Sequence, residues 1–221
     1  MYKDIVLKLF ILHILWNVIK IIPQLNKYSK KTKLNIYRSL LCLTFSGMAI
    51  QLSFNNLRDG MINPFLYKHP DFDEICNLFI AYIIYDLYIF LINKESRIDI
   101  YIHHIWCLGS FLVSKKYDHC NWLSCLLLIN EAISIVTGID SIAMEENNFK
   151  LSAYYKKIRI NIIKYIRFPI WITFFLFTLK HSRKLPNILW WNYMITIFLM
   201  TILDRYWELK CEKVINKYKK T

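Results

Sequence analysis

The chain has 221 residues, 56% hydrophobic and 16% aromatic, with a formal net charge of +13 and a mean hydropathy of +0.28. Several apolar runs reach roughly the 18 residues of a membrane-spanning helix, so the expected fold class is all-α: a polytopic membrane helix bundle of about six to seven transmembrane helices. Four glycines and five prolines are too few for a turn-rich β-barrel, and the basic excess, without a basic face on a soluble domain, excludes nucleic acid as a partner.

The first apolar run, 5–22, ends at Pro23 and carries Lys8, His13, Asn17 and Lys20. The last three recur at helical spacing and line one face. No small-residue cleavage site follows, so the run reads as an uncleaved signal anchor; if it does not span, the count falls from seven to six. A basic loop (Lys27, Lys30, Lys31, Lys33, Arg38) leads to a second run over 40–57. A loop of mixed charge over 58–74 precedes a third run, 75–92, and a fourth, 98–113. After a turn over 114–120 come a fifth run, 121–144, and a hydrophilic segment, 145–159. The sixth run, 160–179, is expected to bend at Pro169, whose ring removes one backbone hydrogen bond. A turn over 180–186 leads to the seventh run, 187–207, and a basic tail with Lys210, Lys213, Lys217, Lys219 and Lys220.

Lysines and arginines outside these runs concentrate on alternate turns and the tail. That side is expected to be cytosolic, with the N-terminus outside or in a lumen. Cys42, Cys76, Cys107, Cys120, Cys125 and Cys211 show no CxxC spacing and fall mostly inside apolar runs. They read as free thiols, not as a disulfide framework or a zinc site.

The stretch 81–113 organises the rest. Asp86 sits inside one apolar run and His103-His104 inside the next. An ionisable group at a helix centre costs roughly 3 kcal/mol by insertion scales, so each needs a partner or a wet cavity. The orientation above puts all three in the cytosolic half. Glu131 lies mid-run, followed by a polar stripe of Asn130, Ser134, Thr137 and Ser141 at helical spacing. Arg167 lies near the middle of the sixth run with Lys164 one turn nearer the cytosol, and Asp204 and Arg205 close the seventh. Glu131 with Arg167 is the expected ion pair, in a site or as pure scaffold. A histidine imidazole can act as general base or nucleophile, with Asp86 holding its tautomer. A di-iron oxygenase needs more histidine ligands than the six present. A single zinc on His103, His104 and Asp86 has no supporting spacing, so no metal is expected.

Tyr85-Asp86 on one span, His103-His104 on the next, Glu131, Arg167-Phe168 and Arg38-Ser39 together resemble the TLC-domain family, which includes ceramide synthases and translocating-chain-associated proteins. The resemblance covers residues 33–213, leaving 1–32 as an N-terminal helix with its basic loop and 214–221 as a basic cytosolic tail. It implies a bundle of membrane helices in the endoplasmic reticulum. In ceramide synthases the paired histidines and nearby acids serve transfer of a fatty acyl group from acyl-CoA to a sphingoid amine. This chain departs from that subgroup. Cys107 follows the pair where a threonine is common, and Glu131 stands where an acidic cluster is expected.

The function expected first is membrane lipid handling or homeostasis, through an intramembrane polar site opening toward the cytosol. An acyl-CoA-dependent N-acyltransferase of the sphingolipid type is the alternative, with acyl-CoA as co-substrate and no bound cofactor. A translocon-associated helper comes third, lacking a soluble loop or cargo motif. His103, His104 and Asp86 are the catalytic candidates; Glu131, Arg167, Tyr85, Ser134 and Lys164 are the substrate-binding ones. Membrane lipids are the expected partners, with a homodimer as an option.

Overall fold

The structure, a computed structural model, describes residues 2–65, 67, 69–94, 96–119 and 121–218. Every regular element among the described residues is helical. α1 (Tyr2–Ile21) stops because Pro23 forces Ile22 into an extended conformation, φ −61° and ψ 118°. α2 (Lys30–Asn55) opens well before the second apolar run, so the expected basic loop is largely helix. Its start is fixed locally: the Ser29 hydroxyl accepts from the Thr32 amide at 3.3 Å and donates to Glu145 at 2.9 Å. α3 (Leu57–Ile62) is a short connector. α4 (Pro70–Asn93) has proline at its first position and ends on Lys94 in the left-handed region, φ 48°. α5 (Ile98–Lys116) follows.

α6 (Trp122–Leu128) and α7 (Ala132–Glu145) form one rod through a 3₁₀ turn, Ile129–Glu131. α8 (Phe149–Ile162) and α9 (Phe168–Lys180) form another through a π turn, Ile163–Arg167. The expected hydrophilic segment 145–159 is thus mostly helix, capped by Asn148, which accepts from the Leu151 amide at 3.0 Å. The irregularity expected at Pro169 takes the form of this π turn, just ahead of the proline whose missing N–H and ring disrupt the regular ladder. α10 (Asn187–Tyr218) carries the helix through the expected tail; residues 219–221 lie outside the described residues.

Among the described residues, three rods are long and apolar enough to cross a membrane: Pro70–Asn93, Trp122–Glu145 and Phe149–Lys180. The last has 32 residues, about 48 Å at helical rise, so it outreaches a hydrocarbon layer of about 30 Å.

Neighbour contacts close six rods into a ring, in the order α4, α5, α10, α8–α9, α6–α7, α2 and back to α4, with α1 packed outside on α4 and α2. Successive ring members run antiparallel. Cys42 approaches Glu131 and Ala49 approaches Cys125, Phe79 packs on Phe111, Trp106 on Thr196, and Trp171 on Asp204. Gly138 allows the closest of these approaches, because a Cβ there would come 2.1 Å from Ser39 Oγ on α2. α1 runs parallel to α4: Lys8 meets Glu74 at 2.7 Å near both N-termini, and His13 Nδ1 meets the Tyr85 hydroxyl at 3.0 Å further along.

The polarity of the bundle is inverted relative to a water-soluble protein. Phe198, Leu91, Trp191 and Ile105 lie on the outside, while Asp86, Glu131, Arg167 and Asp204 are buried. The basic turns gather at one end, where Lys27 and the Tyr28 hydroxyl hold the Glu146 carboxyl below its ordinary range. Cys42, Cys107, Cys125 and Cys211 are free thiols; Cys120 lies outside the described residues.

Candidate functional site

Asp86, fully buried on α4, is held from two sides. Arg38 Nε on α2 donates to its oxygens at 2.8 and 3.1 Å, and His104 Nε2 on α5 lies 2.8 Å from Oδ2. The imidazole meets the carboxylate at ion-pair distance but at an angle outside hydrogen-bond geometry. His104 Nδ1 faces the Ile100 carbonyl oxygen at 3.0 Å. Both ring nitrogens therefore face oxygens of the protein itself, which fixes the plane of the ring. Arg38 also stacks on Phe90, 4.0 Å from the ring centroid. Carboxylate, guanidinium and imidazole form a closed cluster across three helices.

His103 is held differently. Neighbours on a helix point about 100° apart, so it turns away from Asp86 toward α10 and the 3₁₀ turn. Its Nδ1 meets only sulfur, Met200 Sδ at 3.4 Å and Cys107 Sγ at 3.7 Å, and its Nε2 lies 3.7 Å from Glu131 Oε1. Sulfur is a weak partner and 3.7 Å is longer than a hydrogen bond. The expectation that Asp86 orients the catalytic imidazole therefore divides. Asp86 holds His104, and the acid beside His103 is Glu131.

The expected Glu131–Arg167 pair is replaced by another. Arg167 Nε donates to Asp204 Oδ1 at 2.7 Å, Nη1 donates to the Asn130 carbonyl oxygen, and Trp171 Nε1 donates to Asp204 Oδ2 at 2.9 Å. The π turn explains the change: one extra residue per turn rotates Arg167 from the phase that a regular helix would give it. Lys164, expected at the site, points outward and pairs with Glu208 at 2.9 Å. Tyr85 lines a separate cleft between α1 and α4 with His13, Trp16 and Lys20. One helical turn away, Tyr82 is the tyrosine that faces the site.

Two cavities meet at these side chains. The larger, about 830 Å³ including its open mouth, is lined by Lys31, Asn35, Arg38, Tyr82, Arg97, His103, His104, Glu131, Ser134, Thr137, Arg159, Arg167 and Trp207, among others. It carries five lysine or arginine residues against one acid, Glu131, and its mouth residues Lys31, Arg97 and Arg159 lie at the end where the basic turns gather. The smaller, about 410 Å³, is mainly apolar, with Phe79, Phe111, Leu127, Leu128, Trp171 and Met200 in its wall. His103, Glu131 and Arg167 belong to both walls. Asn130, 2% exposed, lines the apolar chamber with neither amide atom partnered. Of the polar stripe, Ser134 and Thr137 reach the larger cavity, while Ser141 accepts a hydrogen bond from Asn35. No three His, Cys, Asp or Glu side chains converge as a metal site would need among the described residues.

Arg38, Arg97, Arg159, Lys31 and Tyr82 escape a search for charges inside apolar runs, although Arg38 stands in the resemblance to the TLC-domain family. Four of the five lie in segments read there as loop or turn, and Tyr82 is uncharged. The signal that could have found Arg38 is the Ser29 cap, which starts α2 early enough to bring the arginine level with Asp86. No family model, curated protein or solved structure matches the chain.

Proposed function

We propose that the chain is a multi-pass membrane protein of the TLC type that handles an amphiphilic lipid in membranes of the endoplasmic reticulum. The reading rests chiefly on the cavity pair: a cationic cleft open at the basic end, an apolar chamber behind it, and His103, Glu131 and Arg167 at the seam. An amphiphile matches this sequence of environments, with its head in the cleft and its tail in the chamber. Seven passes fit the alternating helix directions and the parallel course of α1 and α4, the first and third. The apolar exterior then faces lipid, and the basic end with the C-terminus is cytosolic. The protein purified from membranes should carry a bound amphiphile, detected by mass spectrometry of the extract. Leu127→Trp, which fills the chamber, should remove it. Equal lipid content in the two proteins would sink the reading.

One observation favours catalysis as a second reading: His103 stands at the seam with no strong partner on either nitrogen. As general base, it would take the proton of an amine attacking an acyl thioester. The C–N bond would form, the C–S bond would break, and the thiolate would leave with that proton. Arg167 would stabilise the developing oxyanion. His103→Ala should abolish amide product in membranes supplied with acyl-CoA and a long-chain base, at unchanged levels of folded protein. A native chain that makes no such product would defeat this reading and leave lipid binding standing.

A further inference from the structure

Arg38 and Arg167 are built alike. In each, Nε is spent on a buried aspartate, Asp86 or Asp204. In each, Nη1 is spent on an oxygen, the Asn35 side chain or the Asn130 carbonyl. Each guanidinium lies against an aromatic ring, Phe90 at 4.0 Å or Trp207 at 5.6 Å. In each, Nη2 is buried without a partner, and both residues line the cationic cleft. Arg167 is 1% exposed, so water outside the cleft does not reach it. Arg159, at the mouth, also keeps an unpartnered buried Nε.

Unpaired buried guanidinium nitrogens are expensive, and two with the same leftover donor in one cavity define a receptor for an oxyanion. The chemistry selects among oxyanions. The cleft's lining carries five cations and one carboxylate, and four of the five have an aspartate partner beyond the lining: Arg38 with Asp86, Arg167 with Asp204, Arg97 with Asp99 and Arg159 with Asp140. The aspartates already neutralise one charge on each inner arginine, which leaves directional donors more than bare charge. A tetrahedral phosphate ester, with several acceptor oxygens, can take a donor from each arginine and still face the mouth cations.

We propose that the cleft binds a phosphate ester, gripped by Nη2 of Arg38 and of Arg167, with Arg159 and Lys31 drawing it in. The assignment rests on the amphiphile reading for its tail, since the same ligand would reach past His103 into the apolar chamber. Two sources share the head chemistry: a phospholipid, and a soluble nucleotide-type phosphate ester that carries an acyl chain.

The test uses the full chain in neutral detergent and three probes: dihexanoyl phosphatidic acid, dihexanoyl glycerol, and a soluble adenosine bisphosphate without a tail. Binding is read by titration calorimetry. The phosphatidic acid should bind at least about tenfold more tightly than the matched neutral glyceride. Arg167→Lys keeps a cation for Asp204 but loses the planar fork, and it should erase that preference by weakening binding of the phosphatidic acid. Because a change at Arg167 can cost folded protein, the mouth variant Lys31→Gln/Arg159→Gln provides a second measurement, with a smaller loss in the same direction. Tight binding of the adenosine bisphosphate that is lost in the same variants would support the phosphate site and assign the soluble source. Equal affinity for phosphatidic acid and glyceride would overturn the phosphate site and leave the amphiphile reading intact. Binding of none of the three probes would overturn both.

Discussion

The two histidines of one dipeptide stand in opposite kinds of environment. His104 belongs to a closed cluster in which the Asp86 carboxylate takes Arg38 at 2.8 Å and His104 at 2.8 Å. His103 belongs to an open one, with Glu131 at 3.7 Å and only sulfur on its other nitrogen. The closed cluster ties α2, α4 and α5 together and turns both imidazole nitrogens toward protein oxygens. The open one sits where two cavities meet and leaves both nitrogens underused. Adjacency in sequence therefore separates the tasks: one histidine fixes the helix and the other faces what enters. In the closed cluster the carboxylate is matched from two sides and Arg38 keeps its Nη2 over for a ligand; in the open one the imidazole itself is half matched and poised for a partner.

The largest effect should come from breaking the closed cluster. Asp86→Asn leaves Arg38 buried without its counter-charge, which should cost about 3–5 kcal/mol. Asp204→Asn should behave similarly, because Arg167 and Trp171 both rely on that carboxylate. Glu131→Gln, in the open cluster, should stay within about 1 kcal/mol of the native chain, since no strong bond is lost. Thermal unfolding in detergent ranks the three variants. A Glu131→Gln protein as fragile as Asp86→Asn would erase the distinction between the clusters.

The sequence carries the coarse half of this picture. Apolar run lengths place the helical rods, and the shared depth of Asp86, the histidines, Glu131 and Arg167 anticipates that several helices feed one region. Two things were illegible, each for a physical reason. Hydropathy begins the second run near Leu40, but a serine cap and the docking of that cap on Glu145 decide where α2 starts, which hides Arg38 in an apparent loop. Partner choice depends on helix phase. The π turn at Ile163–Arg167 and the 3₁₀ turn at Ile129–Glu131 each shift that phase, so shared depth alone assigns Arg167 to Glu131 when its partner is Asp204.

A second, smaller effect sharpens the contrast from the ligand side. Asn130 lies in the apolar chamber with both amide atoms unpartnered, which is costly for a buried amide. Asn130→Leu, close in volume, should raise stability by about 1 kcal/mol or more. The same change should weaken retention of the amphiphile, because the amide is a polar side chain at that depth with no partner in the protein. Unfolding temperature and bound lipid should therefore move in opposite directions. If both fall together, Asn130 is scaffold and belongs with the closed cluster.

The smallest effect tests how His103 itself is held. Cys107 stands one helical turn after it, and its sulfur is 3.7 Å from Nδ1. Cys107→Ser replaces a weak, diffuse partner with a hydroxyl that can exchange a directional hydrogen bond with Nδ1, a gain set against the poorer fit of oxygen among apolar neighbours. The two contributions nearly offset each other, so stability should change by no more than about 1 kcal/mol. The ring, however, should become better ordered, because a hydroxyl at Nδ1 favours one tautomer. Nitrogen NMR of labelled histidine reports this directly: the native His103 signal should show both tautomers, the serine variant should favour one, and the His104 signal should stay unchanged because the Ile100 carbonyl and Asp86 still hold that ring. A shift of both histidine signals together would mean that the clusters are coupled, and the division of labour between them would fail.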